Sequence, residues 1–146
     1  MSENKLGVET IMVLKKNPLS DSYRTDEWIM DMFHNYYDPC PYNPSWNKHE
    51  YKDGLDLQTW PTNGKQIFIN PPYSNPKPWV IKAIEFNNKY AIPVVLLLKH
   101  DSSTEWFRLL HEAGANFMMI NGRLKHNTNR SCAFPSVLVC LGEGIN

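Results

Sequence analysis

The sequence predicts one α/β domain built on a mostly parallel sheet with helices on both faces. Three observations carry that expectation. Residues 67–141 alternate short apolar runs with amphipathic stretches, the pattern of repeated strand and helix units. The run Val94 to Leu98 is apolar at every position, as a strand covered on both faces requires. A chain of 146 residues, 42% apolar and 21% charged, suits one ordinary core and leaves no room for a second full domain.

The elements follow in order. Residues 34–65 are rich in Pro, Asn, Asp, Gly and Trp without a helical period, and read mostly as loop. Ile67-Phe68-Ile69 is a buried-strand run, stopped by Pro71 and Pro72. A helix should begin near Pro78, whose fixed φ suits a first helical position, with an apolar stripe through Trp79, Ala83, Phe86 and Tyr90. Pro93 ends the turn after it, and Val94 to Leu98 is the next strand. In the second helix Ser102 and Glu105 form a capping box, Trp106, Leu109, Leu110 and Ala113 lie on one face, and Gly114 is the stop. Phe117 to Ile120 and Val137 to Leu141 are the remaining strands, the last reached through a loop. Ligands of such sheets lie beyond the carboxyl ends of the strands. The clusters Asn70-Pro71-Pro72-Tyr73, Lys99-His100-Asp101 and Asn121-Gly122-Arg123 should therefore converge on one edge.

Composition excludes several classes of protein. The longest apolar run, Ala91 to Leu98, is far short of the roughly 20 residues that span a bilayer. The start, MSENKLGVET, lacks the basic and apolar regions of a secretory leader, so a cytoplasmic protein is expected. Cys40, Cys132 and Cys140 are an odd set without paired spacing, which argues for reduced thiols. Cys40 and His49 fit no common zinc spacing, so no metal is expected. His100 and His126 read as surface or hydrogen-bonded histidines. Formal charge is zero, but residues 1–73 carry seven Lys or Arg against ten Asp or Glu, and residues 74–146 eight against five. The halves are thus −3 and +3, a polarity that suits one face meeting an anion. In the basic half Arg123, Lys125, His126 and Arg130 form a stretch without a carboxylate, either a solvated loop or a phosphate-contacting one.

Asn70-Pro71-Pro72-Tyr73 is the most informative stretch. Prolines have no backbone donor, so carbonyls around Pro71 and Pro72 present acceptors, and the Asn70 amide oxygen adds another. A planar amino group conjugated to a ring has two N–H donors and a delocalised lone pair. Two fixed acceptors match it, and hydrogen bonds from both N–H groups favour a pyramidal nitrogen able to attack an electrophilic methyl group. Tyr73 offers a face on which the ring can stack. As structure alone, the same loop would be a rigid strand terminator.

This loop at a strand end resembles the catalytic motif of S-adenosylmethionine-dependent amino methyltransferases. The wider order, DEWIMDMF, DPCPYN, DGLDLQTW, IFINPPYSNPKPWVIKA, LLLKHDSSTEWF, NGRLKH and FPSVLVCL, is similar to phage-type DNA N-6-adenine methyltransferases of the Dam group over residues 24–141. The resemblance implies a trimmed Rossmann-like methyltransferase fold in one domain. Residues 1–33 are then an N-terminal segment, 34–65 cofactor-side loops and 66–141 the catalytic core. It implies that Asn70, Pro71, Pro72 and Tyr73 hold the target amine, and that Asp38, Pro39 and Cys40 form a cofactor turn after a short strand, His34 to Tyr37. Pro41, Tyr42 and Asn43 stand where such a turn usually has glycines. Asp53, Leu55 and Asp56 fall in the stretch whose acidic position contacts the cofactor's adenosine, with the choice between the two aspartates open. Lys99, His100, Arg123, Lys125 and Arg130 are the candidate contacts to DNA.

The implied reaction is methylation of the exocyclic amino group of adenine in DNA, in the cytoplasm of a prokaryotic cell or of a virus-infected one, with a homodimer as an expected partner state. Two alternatives stay open at this point: an RNA base or protein glutamine amide as acceptor, or an inactive nucleic-acid-binding relative. Only 31 residues separate Asp38 from Asn70, too few for the two further strand and helix units that a full-length fold of this type places there.

Overall fold

The computed structural model describes residues 27–41, 54–122, 124 and 135–142. Its elements are α1 (Glu27–Met32), a 3-10 turn (Leu57–Thr59), β1 (Ile67–Ile69), α2 (Lys77–Tyr90), β2 (Val94–Lys99), α3 (Glu105–Glu112), β3 (Asn116–Met119) and β4 (Ser136–Leu141). The strands form one sheet in the order β1-β2-β4-β3. β1 pairs parallel with β2, Ile67 opposite Val94 and Ile69 opposite Leu96. β4 pairs antiparallel with both β2 and β3, Val139 lying between Leu96 and Phe117. β1, β2 and β3 therefore point the same way, with β4 inserted against them.

The expectation of a mostly parallel sheet is corrected, because two of the three ladders are antiparallel. The reason is the type of connection. Parallel neighbours need a crossover, usually helical. Helices α2 and α3 supply crossovers from β1 to β2 and from β2 to β3. No helix among the described residues stands between β3 and β4, and β4 is antiparallel to both of its neighbours.

Helices cover both faces, as expected. Trp79, Val80, Ala83 and Phe86 of α2, with Trp106 and Leu110 of α3, pack on the face formed by Ile67, Ile69, Leu96, Leu98, Val137 and Val139. Trp28, Ile29 and Phe33, in and just after α1, pack on the opposite face against Phe68, Val95, Leu97, Leu138 and Cys140. Successive crossovers in one direction place their helices on one face when both keep the usual right hand, which is the arrangement of α2 and α3. β2 is buried at every residue but Lys99, as its unbroken apolar run requires.

Two local expectations are corrected. The strand read at His34 to Tyr37 is a single parallel bridge of Tyr37 to Ile67. Its start is drawn into turns after α1: the Phe33 N–H donates to the Ile29 carbonyl at 3.1 Å and the Tyr36 N–H to Phe33 at 2.9 Å. The cap of α3 is Thr104, whose hydroxyl accepts the Phe107 N–H at 3.3 Å, and not Ser102. Asp101 organises the preceding turn by accepting the Ser103 N–H at 3.1 Å and its hydroxyl at 2.5 Å, and so shifts the helix start. Helix α1 has no counterpart among the elements read from sequence.

Candidate functional site

Strand order builds the site. β1 lies between the Tyr37 bridge on one side and β2 on the other. Whatever follows β1 therefore sits between whatever follows Tyr37 and whatever follows β2. Those three segments are Asp38-Pro39-Cys40, Asn70-Pro71-Pro72-Tyr73 and Lys99-His100-Asp101. The convergence on one sheet edge expected of the Asn70 and Lys99 clusters holds, and the Asp38 turn lies on that edge with them. Asn121 and Gly122 join the same edge, since β3 runs with β2, while Arg123 lies outside the described residues, as do Asp53, Lys125 and Arg130.

A cleft of about 220 Å³ opens between the second and third clusters. Pro71, Tyr73, Ser74 and Pro76 form one wall, Lys99, Asp101, Thr104 and Trp106 the other, and Leu97 and Leu98 of β2 line it as well. Pro71 and Pro72 are buried, whereas Asn70 and Tyr73 are half-buried at the strand end. The Pro72 carbonyl accepts the Asn75 N–H at 3.2 Å, which tightens the turn. Sequence reading placed Asp101 in a cluster on the ligand edge but assigned no site role to Ser74, Pro76, Thr104 or Trp106, and placed Trp106 in the core. It is a core residue, 8% exposed, that also lines the cleft. The available signal was position: each follows an apolar strand on the edge where ligands bind.

The opposite wall is electrostatically defined. Hydrogen bonds from the Ser103 hydroxyl and N–H, with Lys99 beside it, hold the Asp101 carboxyl below the usual carboxylate range. The Lys99 ammonium is 3.7 Å from Asp101. His100 stacks on Phe107 at 6.2 Å between ring centres, and Phe107 on Phe117 at 4.6 Å. His100 is thus anchored to the aromatic surface of α3 and β3, and Lys99 remains half-exposed at the cleft.

On the other side of β1, the Tyr37 N–H donates to Gln66 and the Phe68 N–H to Tyr37, both at 2.8 Å, so the Asp38 turn leaves the sheet at a fixed point. Asp38 is half-buried and accepts the Cys40 N–H at 2.8 Å. Burial pushes its carboxyl up to about 6, the Cys40 N–H acting in the opposite sense. A carboxylate desolvated in this way is stabilised by a cationic ligand, and S-adenosylmethionine carries a sulfonium and an ammonium. The residues present therefore suit that group. The Cys40 side chain is packed into the core and serves the turn through its backbone.

The segment carrying Leu55 and Asp56 is brought to this turn by Gly54. A side-chain carbon at Gly54 would collide with the Pro39 carbonyl and approach Trp79 Cη2 to 2.8 Å, so only glycine permits the contact. Trp60, 2% exposed, donates its indole N–H to the Gly54 carbonyl at 2.7 Å and packs on Phe86 of α2. Leu55 packs against the same core. Asp56 caps the 3-10 turn by accepting the Gln58 N–H at 3.0 Å, which gives its carboxylate a local role. Gly54 and Trp60 escaped sequence reading because a glycine and a tryptophan in a loop have no periodicity.

Among the described residues no group of three or more His, Cys, Asp or Glu could hold a metal, and no helix is long and apolar enough to cross a membrane. Residues 14–133 match a family model described as DNA N-6-adenine-methyltransferase (Dam). The DNA N-6-adenine-methyltransferase of Haemophilus phage HP1 is 48% identical over 44 residues, 30% of this chain and 25% of that protein. That of Escherichia phage T1 is 37% identical over 71 residues, 47% of this chain and 28% of that protein. The chain thus spans about a quarter of the length of the curated relatives it matches. No solved structure matches it.

Proposed function

Since the chain belongs to the DNA N-6-adenine-methyltransferase (Dam) family, we propose that it transfers a methyl group from S-adenosylmethionine to the exocyclic amino group of adenine in DNA, as a single Rossmann-like methyltransferase domain. One observation carries this reading: the Asn70–Tyr73 loop stands between the Asp38 turn and the cleft. A methyl donor on one side and an acceptor on the other would meet at Asn70.

The cofactor supplies an electrophilic methyl group on a sulfonium. Asp38, with Pro39 and Leu55, would hold its cationic part, and Asp53 or Asp56 would contact its adenosine, Asp56 with the carboxylate oxygen that does not cap the 3-10 turn. The target base enters the cleft with its ring on Tyr73. The Asn70 amide oxygen and the Pro71 carbonyl accept its two N–H bonds and so release the nitrogen lone pair. The amine loses its proton only after bonding to carbon, so no general base is needed beforehand. Duplex DNA must present the base by flipping it, at a few kcal/mol. Lys99 at the cleft, with Arg123, Lys125 and Arg130, is assigned to phosphate contacts, which position without reading sequence. His100 supports this edge through Phe107. Such a protein acts in the cytoplasm of a phage-infected cell, and a second copy would enlarge its contact with DNA.

Purified protein incubated with labelled S-adenosylmethionine and adenine-containing DNA, followed by digestion and mass spectrometry, tests this. N-6-methyladenine is the expected product. Binding of the cofactor without transfer to DNA, or transfer only to RNA or a protein amide, would overturn the substrate assignment.

A further inference from the structure

Lys77 stands at a place that its own helix disfavours. It is the first residue of α2, preceded by Pro76, which makes no side-chain capping hydrogen bond, and the first turn has no acidic residue. A cation there faces the positive end of the helix dipole. Its partner explains the position. The Lys77 ammonium donates to Glu105 Oε1 at 2.7 Å, and Glu105 is the first residue of α3, where an anion is favoured. Among the described ion pairs this one joins two helices, while the others bridge neighbours two to four residues apart. The Lys77 contact and charge also hold the Glu105 carboxyl below its usual range.

The two ends of this pair abut opposite walls of the cleft. Pro76 and Thr104, the residues immediately before Lys77 and Glu105, both line it. We propose that the Lys77–Glu105 ion pair is a strap that fixes the separation of the two cleft walls, so that Lys77 and Glu105 are positioning residues for methyl transfer. This rests on the reading of the cleft as the target-base site. With side chains 45% and 54% exposed, the pair adds little to global stability, and its removal leaves the fold intact. Its effect is on geometry. A base held at a slightly wrong distance from the donor reacts more slowly although it binds as well.

The test compares Lys77→Met, Glu105→Gln and the reversed pair Lys77→Glu with Glu105→Lys, on the full chain with adenine-containing DNA. Each single variant should lower kcat roughly fivefold, with the KM for DNA and the affinity for S-adenosylmethionine unchanged and the thermal midpoint within about 4 °C of the parent. The reversed pair should recover at least half of the lost kcat. An unchanged kcat in the single variants, a loss confined to KM for DNA, or a reversed pair no better than the singles would overturn the strap. If the parent protein proved inactive on DNA, the target-base reading would fall, and amide hydrogen exchange would decide the strap separately. Exchange at residues 73–80 and 103–107 should be faster in the singles and restored in the reversed pair, and equal exchange in all four proteins would refute it.

Discussion

Asp38 is a carboxyl whose burial costs the folded protein stability, and its sign can be worked out. Its folded pKa of about 6 lies above the ordinary value of 3.8, so the folded state holds the proton more tightly. That contribution favours folding below about pH 4 and is lost as pH rises through about 6, a difference of up to about 3 kcal/mol. Asp38→Asn should therefore stabilise the unliganded protein at pH 7.5 by up to that amount and leave it unchanged at pH 4, as urea unfolding at the two values will read. The same substitution should weaken S-adenosylmethionine binding by calorimetry. In the parent, affinity should fall as pH drops below 6, and in the variant it should be flat. Asn70 should respond differently. An acceptor that acts mainly as the nitrogen becomes pyramidal contributes to kcat, so Asn70→Ala should cost roughly a hundredfold in transfer with cofactor affinity retained.

Two elements carry predictions of opposite sign. The Gly54 to Trp60 segment is held by one close approach and one indole hydrogen bond. Gly54→Ala forces Pro39 and Trp79 apart, and should destabilise the protein by about 1–3 kcal/mol in urea unfolding and weaken cofactor binding, because Pro39 belongs to the Asp38 turn. Helix α2 ends on Ala91 at φ 56, a left-handed conformation that costs an L-residue with a side chain. Ala91→Gly removes that cost and should raise stability by about 0.5–1 kcal/mol, a midpoint shift of roughly 2–4 °C by calorimetry. Activity should not change, since this end of α2 lies opposite the cleft. At this scale the stripe of α2 was plain in the sequence for Trp79, Ala83 and Phe86, which recur at helical spacing and are all buried, while Tyr90, read as its last member, is exposed in the last turn. The cap of α3 was not, because Ser102, Ser103 and Thr104 are chemically alike and only the Asp101 turn chooses among them.

Across the whole molecule, neutrality conceals a −3 and a +3 half. DNA affinity should accordingly be modest and salt-sensitive, falling roughly 10- to 100-fold between 50 and 200 mM salt if two to four phosphates are contacted. Fluorescence anisotropy with labelled duplex checks this, and a salt-independent affinity would contradict it. The sequence by itself determined the proline-fixed, acceptor-rich character of the Asn70–Tyr73 loop, the stripe of α2 and the doubly buried run of β2. Each is written in contiguous residues, as proline-fixed acceptors or as a periodicity that only one local structure buries well. Tertiary structure alone decided the direction of β4, the docking of Gly54 on Pro39, and the meeting of Lys77 with Glu105. It also decided that one strand end would separate a carboxylate turn from a cleft. Those outcomes depend on which distant segments lie side by side, and pairing between strands far apart in the chain is selected by shared burial, which no local pattern encodes.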